Sequence, residues 1–194
     1  MANTNAPFGF RQYSGTGSAP TYEQVCMRII YSNTTPIYFG DAVIPLSSGY
    51  IAQATASTVQ VAGIFAGCKY LSTSQKRIVW SNYWPGSDVS STAPDIEAYV
   101  INDPNARFLV QAGGTAVGIS AVNNNIQLNV GTGNAATGIS GMFVETPATT
   151  ATLPFRVVQL VVDPPGANGT DYLSAYNQII VAFNYASTRT TDGV

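Results

Sequence analysis

The sequence contains no histidine, and charged side chains are scarce. Its 194 residues include 8 Lys+Arg and 10 Asp+Glu, so 9% of the chain is charged, against about 25% in an ordinary soluble domain. Ser–His–Asp and Cys–His catalytic arrangements need histidine and are excluded, and the commonest metal ligand is missing. We therefore expect a protein that is not an enzyme, has no cofactor, and packs its weakly charged surface against other subunits.

Neither a nucleic-acid interface nor a membrane span is indicated. The formal net charge is −2, and the single adjacent basic pair is Lys76–Arg77, whereas phosphate backbones are bound by clustered Lys and Arg. No apolar run approaches the roughly 18 residues of a membrane helix. The first residues also lack the basic and apolar segments of a secretory signal, so we expect synthesis in a reducing cytoplasm.

Cysteine is rare as well, with Cys26 and Cys68 as the two in the chain. Two cysteines cannot hold a structural zinc, which takes about four ligands, and secreted disulfide scaffolds usually carry more. Both lie among apolar residues, so we expect two small buried thiols in preference to a disulfide.

Uncharged side chains supply most of the polarity, with 16 Ser, 20 Thr, 14 Asn and 9 Gln. Hydrophobic residues still make up 45% of the chain, which is enough apolar surface to offset the entropy of ordering it. A chain of this length buries about 70% of the surface that it exposes when unfolded. One domain with a sizeable core is therefore expected.

From residue 22 onward the residue pattern is typical of β-structure. Segments rich in β-branched and aromatic residues recur at short intervals between Gly- and Pro-containing turns. In one of them Ile179, Val181, Phe183 and Tyr185 share a face opposite Gln178, Ala182 and Asn184, as in a strand buried on one face. The predicted strands are 25–31, 37–45, 59–66, 76–84, 95–102, 106–112, 125–130, 139–145, 155–162 and 177–185.

About ten short strands predict an all-β fold, a jelly-roll-like sandwich or barrel, over residues 22–194. The one helix expected is a short one at residues 172–178.

Residues 1–21 differ from the rest of the chain. They contain several Gly and Pro and no sustained apolar periodicity, yet Phe8, Phe10 and Tyr13 fall within six positions. We expect an extended N-terminal arm that docks on a partner, with these aromatics as apolar anchors and Arg11 as the polar one. The alternative is that the segment packs back on its own domain.

Two sets of oxygen-bearing side chains are the remaining candidates for chemistry. Asp95 and Glu97 share one face of a predicted strand, and paired carboxylates can cleave glycosidic bonds. They would approach the bond from one side only, whereas glycosidases flank it, so we favour an exposed strand face. Asp163, Asn168 and Asp171 lie in a Gly- and Pro-containing loop, but calcium takes about six to eight oxygens, so we favour a turn capped by these side chains.

Five blocks of sequence, in order along the first 112 residues, resemble structural head proteins of tailed bacteriophages. Within that group they are similar to capsid decoration proteins, also called cement or head-stabilising proteins. Residues 113–194 carry no motif that matches. The blocks are Asn5–Arg11, Gly67–Tyr70, Gln75–Ser87, Asp95–Pro104 and Phe108–Gln111.

The resemblance implies a jelly-roll-like domain on the outside of an icosahedral shell. There, copies bind the major capsid protein and one another, as homotrimers in preference to homodimers, and resist the pressure of packaged DNA. The protein would be made in the host cytoplasm and reside on the capsid exterior, with no catalytic residue to carry over.

Two other functions stay open from the sequence. Trp80, Tyr83 and Trp84 can form an aromatic platform for a carbohydrate, as in a lectin-like module of a head fibre. The chain can also be read as a jelly-roll coat protein that assembles a shell alone. Arms of such coat proteins are often basic, whereas this segment has only Arg11.

Overall fold

The fold is a sandwich of two antiparallel β-sheets. The computed structural model describes residues 2–15, 17, 19–21, 23–91, 95–166, 168–191 and 193. These residues form twelve strands and one turn of 3-10 helix, Ile119–Ala121. The all-β fold predicted from the sequence is confirmed. The strands are β1 (Arg11–Ser14), β2 (Val25–Ile29), β3 (Ala42–Pro45), β4 (Ile51–Gln53), β5 (Gly63–Leu71), β6 (Ile78–Ser81), β7 (Ile96–Ile101), β8 (Arg107–Gln111), β9 (Asn125–Asn129), β10 (Phe143–Ala148), β11 (Phe155–Leu160) and β12 (Gln178–Phe183).

Sheet A contains six strands in the order β1-β8-β12-β11-β9-β10. Its strands form because apolar side chains recur at every second position and can be buried together on one face. In β12, Ile179, Val181 and Phe183 are buried in the core, while Gln178 and Ala182 are only half-buried. The predicted strand is therefore confirmed, and its alternation holds except at Ile180, which is buried on the opposite face.

Sheet B follows the order β2-β7-β5-β3-β4, with β6 added to β5. The long strand β5 pairs with β7 along one side. Along its other side it pairs first with β3, through Gly63 and Ile64, and then with β6, through residues 68–71. A β-bulge interrupts its register with β7 between Phe65 and Gly67. Because β2 and β4 also come into contact, the sheet curls around the side chains on its concave face.

Two clusters of buried apolar side chains form the core. The larger lies between the sheets and includes Phe108, Phe155 and Phe183 of sheet A together with Ile64 and Ile101 of sheet B. The smaller lies on the other face of sheet B, inside the curl. Its members are Ile29, Ile37, Val43, Ile51, Ala62, Phe65, Cys68, Tyr70, Trp84, Ile96, Ala98 and Val100.

Strand β7 serves both clusters because successive side chains point to opposite faces. Ile96, Ala98 and Val100 belong to the smaller cluster, whereas Ile101 belongs to the larger one. Glu97 and Tyr99 share the face of Ile101 but lie beyond the area that sheet A covers, and they are only half-buried. One face of sheet B is thus partly open to solvent.

The described part of the N-terminal segment packs on its own domain. Arg11–Ser14 is strand β1, the edge of sheet A, paired with β8. The Phe10 side chain is 1% exposed and stacks on Phe155 with ring centroids 4.4 Å apart. The boundary predicted after residue 21 therefore does not separate an arm from the sandwich, because Phe10 is a core residue and the chain that follows it completes a sheet.

Several other predictions are corrected in detail. Strand 37–45 is shorter than predicted, since only Ala42–Pro45 is extended within a ladder, and strand 59–66 is displaced to Gly63–Leu71. The segment 172–178 forms turns and no helix. None of the helical structure in the described residues is long and apolar enough to cross a membrane.

Candidate binding face

The open face of sheet B brings charged and aromatic side chains into one row. Antiparallel register places Arg28 of β2 opposite Glu97 of β7, Glu97 opposite Lys69 of β5, and Lys69 opposite Trp80 of β6. Directly opposite residues point to the same side of a sheet. Tyr99 lies two positions from Glu97 and therefore shares this side. We call these five residues the binding face.

Trp80 is the most prominent side chain of the binding face. It is 68% exposed, yet its ring lies against Tyr99, with centroids 5.7 Å apart and planes within 5° of parallel. The two residues are on β6 and β7, so the contact passes over β5 at Gly67, which faces Tyr99 in the register. Gly67 has no side chain to fill this space, and a neighbouring ring can cover it instead.

The conformation of Gly67 also restricts that position to glycine. Its φ is +135°, a region that other residues rarely adopt. A Cβ there would lie 3.0 Å from the carbonyl oxygen of Ser81. The Trp80–Tyr99 contact therefore depends on a backbone feature of β5 as well as on the two rings.

An ion pair lies beside the two rings. Lys69 Nζ is 2.5 Å from Glu97 Oε2 and 5.2 Å from the centroid of the Trp80 ring, within the range of a cation–π contact. The hydrogen bond to Glu97 raises the pKa of Lys69 above its ordinary value, so the ammonium stays charged. Desolvation raises the pKa of Tyr99, which keeps its hydroxyl neutral.

A shallow groove of about 440 Å³ runs beside Trp80. Its lining combines the two stacked rings with amide and hydroxyl groups, which can donate and accept hydrogen bonds. The groove is therefore suited to a partner with both apolar and polar groups. It is lined by Gln24, Ala66, Gly67, Cys68, Trp80, Ser81, Asn82 and Tyr99.

The predicted platform of Trp80, Tyr83 and Trp84 does not form. Trp84 is fully buried in the smaller core cluster, and Tyr83 stacks on Tyr38, with ring centroids 5.5 Å apart. The aromatic that joins Trp80 is Tyr99, which the sequence analysis missed. Its position two residues after Glu97 places it on the exposed face of β7, but only the pairing of β5, β6 and β7 brings it to Trp80.

Asp95 and Glu97 have separate partners. Asp95 Oδ2 accepts a hydrogen bond of 2.7 Å from the Tyr50 hydroxyl, and this bond raises the pKa of Tyr50. Glu97 is paired with Lys69. Both carboxylates are half-buried and each is held by its own partner, so the strand face favoured from the sequence is only partly exposed.

The loop containing Asp163, Asn168 and Asp171 is expected from the sequence to be a turn capped by these side chains, and Asp171 has this role. This carboxylate accepts hydrogen bonds from Ser174 Oγ and from the Leu173 backbone N–H, so it caps a turn. The Ser174 bond is the main cause of the lowered pKa of Asp171. Among the described residues, Cys, Asp and Glu form no group of three or more that could hold a metal ion.

The four residues predicted to bind a partner lie in different environments. Phe10 is in the core, and Phe8 is half-buried, with the Arg11 guanidinium 4.7 Å from its ring centroid. Arg11 itself is exposed on β1, and Tyr13 is 51% exposed. Phe10 is therefore no surface anchor, while Arg11 and Tyr13 remain accessible along the edge of sheet A.

Both cysteines are free thiols, as expected, but only Cys68 is buried. Burial raises the pKa of Cys68 to about 12, so it remains protonated at neutral pH and is unsuited to act as a nucleophile. Cys26 is exposed on β2, opposite Tyr99. The prediction of two buried thiols is therefore wrong for Cys26, because its strand is covered on one face only.

Comparisons of the chain with protein-family models, with curated proteins and with solved structures found no match.

Proposed function

We propose that this protein is a non-enzymatic virion component that binds the outside of a tailed-phage capsid and stabilises the shell by bridging major capsid proteins. A jelly-roll-like strand arrangement and assembly as a homotrimer are parts of this proposal. It starts from the sequence blocks that resemble decoration proteins. Its main support is the position of three of those blocks in the fold.

Three blocks of the resemblance meet at the binding face. Gly67–Tyr70 lies in β5, Gln75–Ser87 contains β6, and Asp95–Pro104 contains β7. These three strands are neighbours in sheet B. The sequence blocks that resemble decoration proteins thus include the three strands that carry four of the five residues of the binding face, which is expected if this face contacts a capsid.

The physical character of this surface suits a protein partner. Tryptophan is enriched among interface residues whose truncation costs most. Contact with Tyr99 and Lys69 restrains the Trp80 ring before binding, so less side-chain entropy is lost on association. A capsid repeats its surface many times, so an oligomer that engages several equivalent sites gains affinity beyond that of each contact.

Co-sedimentation with undecorated heads tests the proposal. We expect Trp80→Ala to weaken binding by about tenfold or more, whereas Leu173→Ala, an exposed apolar residue outside the binding face, should bind as the unaltered chain does. Absence of binding by the unaltered protein, or equal binding by both variants, would contradict the proposal. Light scattering of the free protein tests the trimer.

The groove beside Trp80 favours a second candidate function, carbohydrate binding. Small-molecule sites combine apolar and aromatic walls with a few polar groups that fix orientation. Here the stacked rings of Trp80 and Tyr99 adjoin Gln24, Ser81 and Asn82. A glycan array with the unaltered chain and Trp80→Ala tests this function. Saturable binding that Trp80→Ala abolishes supports it, and an array without hits rejects it.

A further inference from the structure

The outer face of sheet A is unusually rich in arginine for this chain. Arg11, Arg107 and Arg156 are exposed on β1, β8 and β11, out of 8 Lys+Arg in the whole sequence. Glu145 in the edge strand β10 is the one carboxylate within the six strands of this sheet. The strands of this sheet therefore contain more positive than negative side chains, on a protein whose net charge is negative.

The sheet register places two of these arginines in one row. Ala182 of β12 lies opposite Arg107 of β8 on one side and opposite Arg156 of β11 on the other. The small Ala182 side chain leaves open space between two long cationic ones. The row is continued by Ser14 next to Arg107 and by Asn125 next to Arg156.

A third arginine reaches this region from the C-terminal turn. Arg189 Nη1 donates a hydrogen bond of 3.2 Å to the carbonyl oxygen of Phe183, at the end of β12. Its Nη2 donates to the carbonyl oxygen of Pro104, in the turn before β8. A guanidinium has five N–H donors, so these bonds fix its position and still leave donors for a ligand.

Arg107 and Arg189 both line a concave pocket of about 250 Å³. None of the lining residues is acidic. The carboxylate next to the pocket in sequence, Asp103, accepts a hydrogen bond from the Asn105 backbone N–H and lies 3.4 Å from the Thr21 hydroxyl. The pocket is lined by Gly15, Pro104, Asn105, Arg107, Val158, Ala182 and Arg189.

We infer that this pocket binds a doubly charged tetrahedral oxyanion of the phosphate or sulfate type. Two guanidinium groups supply two positive charges and forked donors, which match the oxygens of such an anion. Apolar Val158 and Ala182 in the lining reduce the screening of that attraction by water. The inference is independent of the capsid proposal, because the pocket lies on sheet A and the binding face lies on sheet B.

Arg107 is the best position for a test. Its backbone pairs within the sheet, but among the described residues its guanidinium takes part in no hydrogen bond or ion pair, so Arg107→Gln should leave the fold intact. Arg189→Gln also removes two bonds to main-chain carbonyls and serves as a second variant after its stability has been measured. Arg77→Gln is the matched control, since Arg77 is exposed and its guanidinium contacts Gln75 outside the pocket.

The experiment follows amide chemical shifts of the full chain during titration with sodium sulfate or inorganic phosphate at constant ionic strength. We expect saturable shifts at Gly15 and Asn105. The affinity obtained from them should fall about tenfold or more in Arg107→Gln and stay unchanged in Arg77→Gln. Acetate and dimethyl phosphate, each with one charge, stand for a carboxylate and a phosphodiester. Both should bind more weakly than sulfate or inorganic phosphate, which stand for a free dianion or a terminal phosphate.

Three results would overturn the inference. The first is an absence of saturable shifts in the unaltered protein with sulfate and phosphate. The second is an Arg107→Gln variant that binds as tightly as the Arg77→Gln control. The third is binding of acetate or dimethyl phosphate as tight as that of sulfate, since the site would then not select a dianion.

Discussion

Trp80 and Trp84 are four residues apart and have opposite roles. Trp84 is fully buried, packs edge-on against Tyr70 at 5.2 Å between ring centroids, and donates its indole N–H to the Asn33 carbonyl oxygen. Trp80 is 68% exposed and has one ring neighbour, Tyr99. The concave face of sheet B thus contributes to stability, while the open face keeps a large apolar ring in water.

This difference shows which aromatic residues need a functional explanation. Burial of Trp84 accounts for its presence, because a filled core stabilises the fold. The exposed Trp80 ring contributes far less to stability, so folding alone does not account for a tryptophan at this position. Substitutions on the two faces test this distinction.

Trp84→Ala should have the largest effect. Removing a fully buried indole leaves a cavity in the smaller core cluster, which costs about 3–5 kcal/mol of the free energy of unfolding. Urea denaturation followed by circular dichroism measures the loss. A loss below about 1 kcal/mol would show that this core is less tightly packed than the structure indicates.

Phe10→Ala should follow, with a loss of about 3 kcal/mol. Phe10 stacks on Phe155 in the larger cluster. The N-terminal segment therefore contributes to the core of its own domain. Tyr13→Ala, on the exposed side of the same segment, is the control and should change stability by less than about 0.5 kcal/mol. Equal effects of the two substitutions would mean that the segment does not dock on its own domain.

Two carboxylates should respond to pH in opposite directions. Burial raises the pKa of Asp41 above 3.8, so its contribution to stability is full below pH 3.8 and is lost as the pH rises through the folded pKa. A hydrogen bond from Ser72 is the main cause of the lowered pKa of Asp88. Its contribution is therefore present above pH 3.8 and lost as the pH falls through the folded pKa.

Carboxyl NMR titration of the folded protein checks both directions. Asp41 should titrate above 3.8 and Asp88 below it, and Asp88→Asn should remove part of the acid-induced loss of stability. Identical midpoints for the two groups would contradict the contrast between a carboxyl group dominated by burial and one dominated by hydrogen bonds.

Trp80→Ala should have the smallest effect on folding, less than about 1 kcal/mol, because most of the ring is already in water. The same denaturation experiment measures it, with Trp84→Ala as the internal reference. A loss comparable to that of Trp84→Ala would remove the contrast and would make Trp80 a structural residue.

Much of the fold can be predicted from local patterns, because alternation of apolar and polar residues along a segment indicates a strand that is buried on one face. The strand at 177–185 is an example, since Ile179, Val181 and Phe183 face the core as expected. The strands β1 and β4 are not predicted from the sequence, and they are short strands of four and three residues at sheet edges. Such strands depend on pairing with a neighbour and carry little periodicity of their own.

The candidate site is predictable only in part, because it depends on register between distant segments. The sequence identifies Trp80 as a candidate but groups it with Tyr83 and Trp84, its nearest neighbours along the chain. Its actual neighbours, Tyr99 and Lys69, reach it through the pairing of three strands. The arginine pocket was missed for the same reason, since Arg107 and Arg189 are 82 positions apart in the sequence.

The bulge in β5 determines which side chains of that strand face the solvent. One extra residue lies between Phe65 and Gly67, and it changes the face of the sheet to which each later side chain of β5 points. Ile64 faces the larger core before the bulge, and Lys69 faces water on the same side after it, while Phe65 and Cys68 both face the smaller core. If the strand ran through Ala66 with regular alternation and no bulge, the two faces beyond it would be exchanged, turning the Lys69 ammonium inward and the Cys68 thiol outward. A single backbone irregularity thus lets one strand contribute to both cores at one end and place Lys69 on the open face of sheet B at the other.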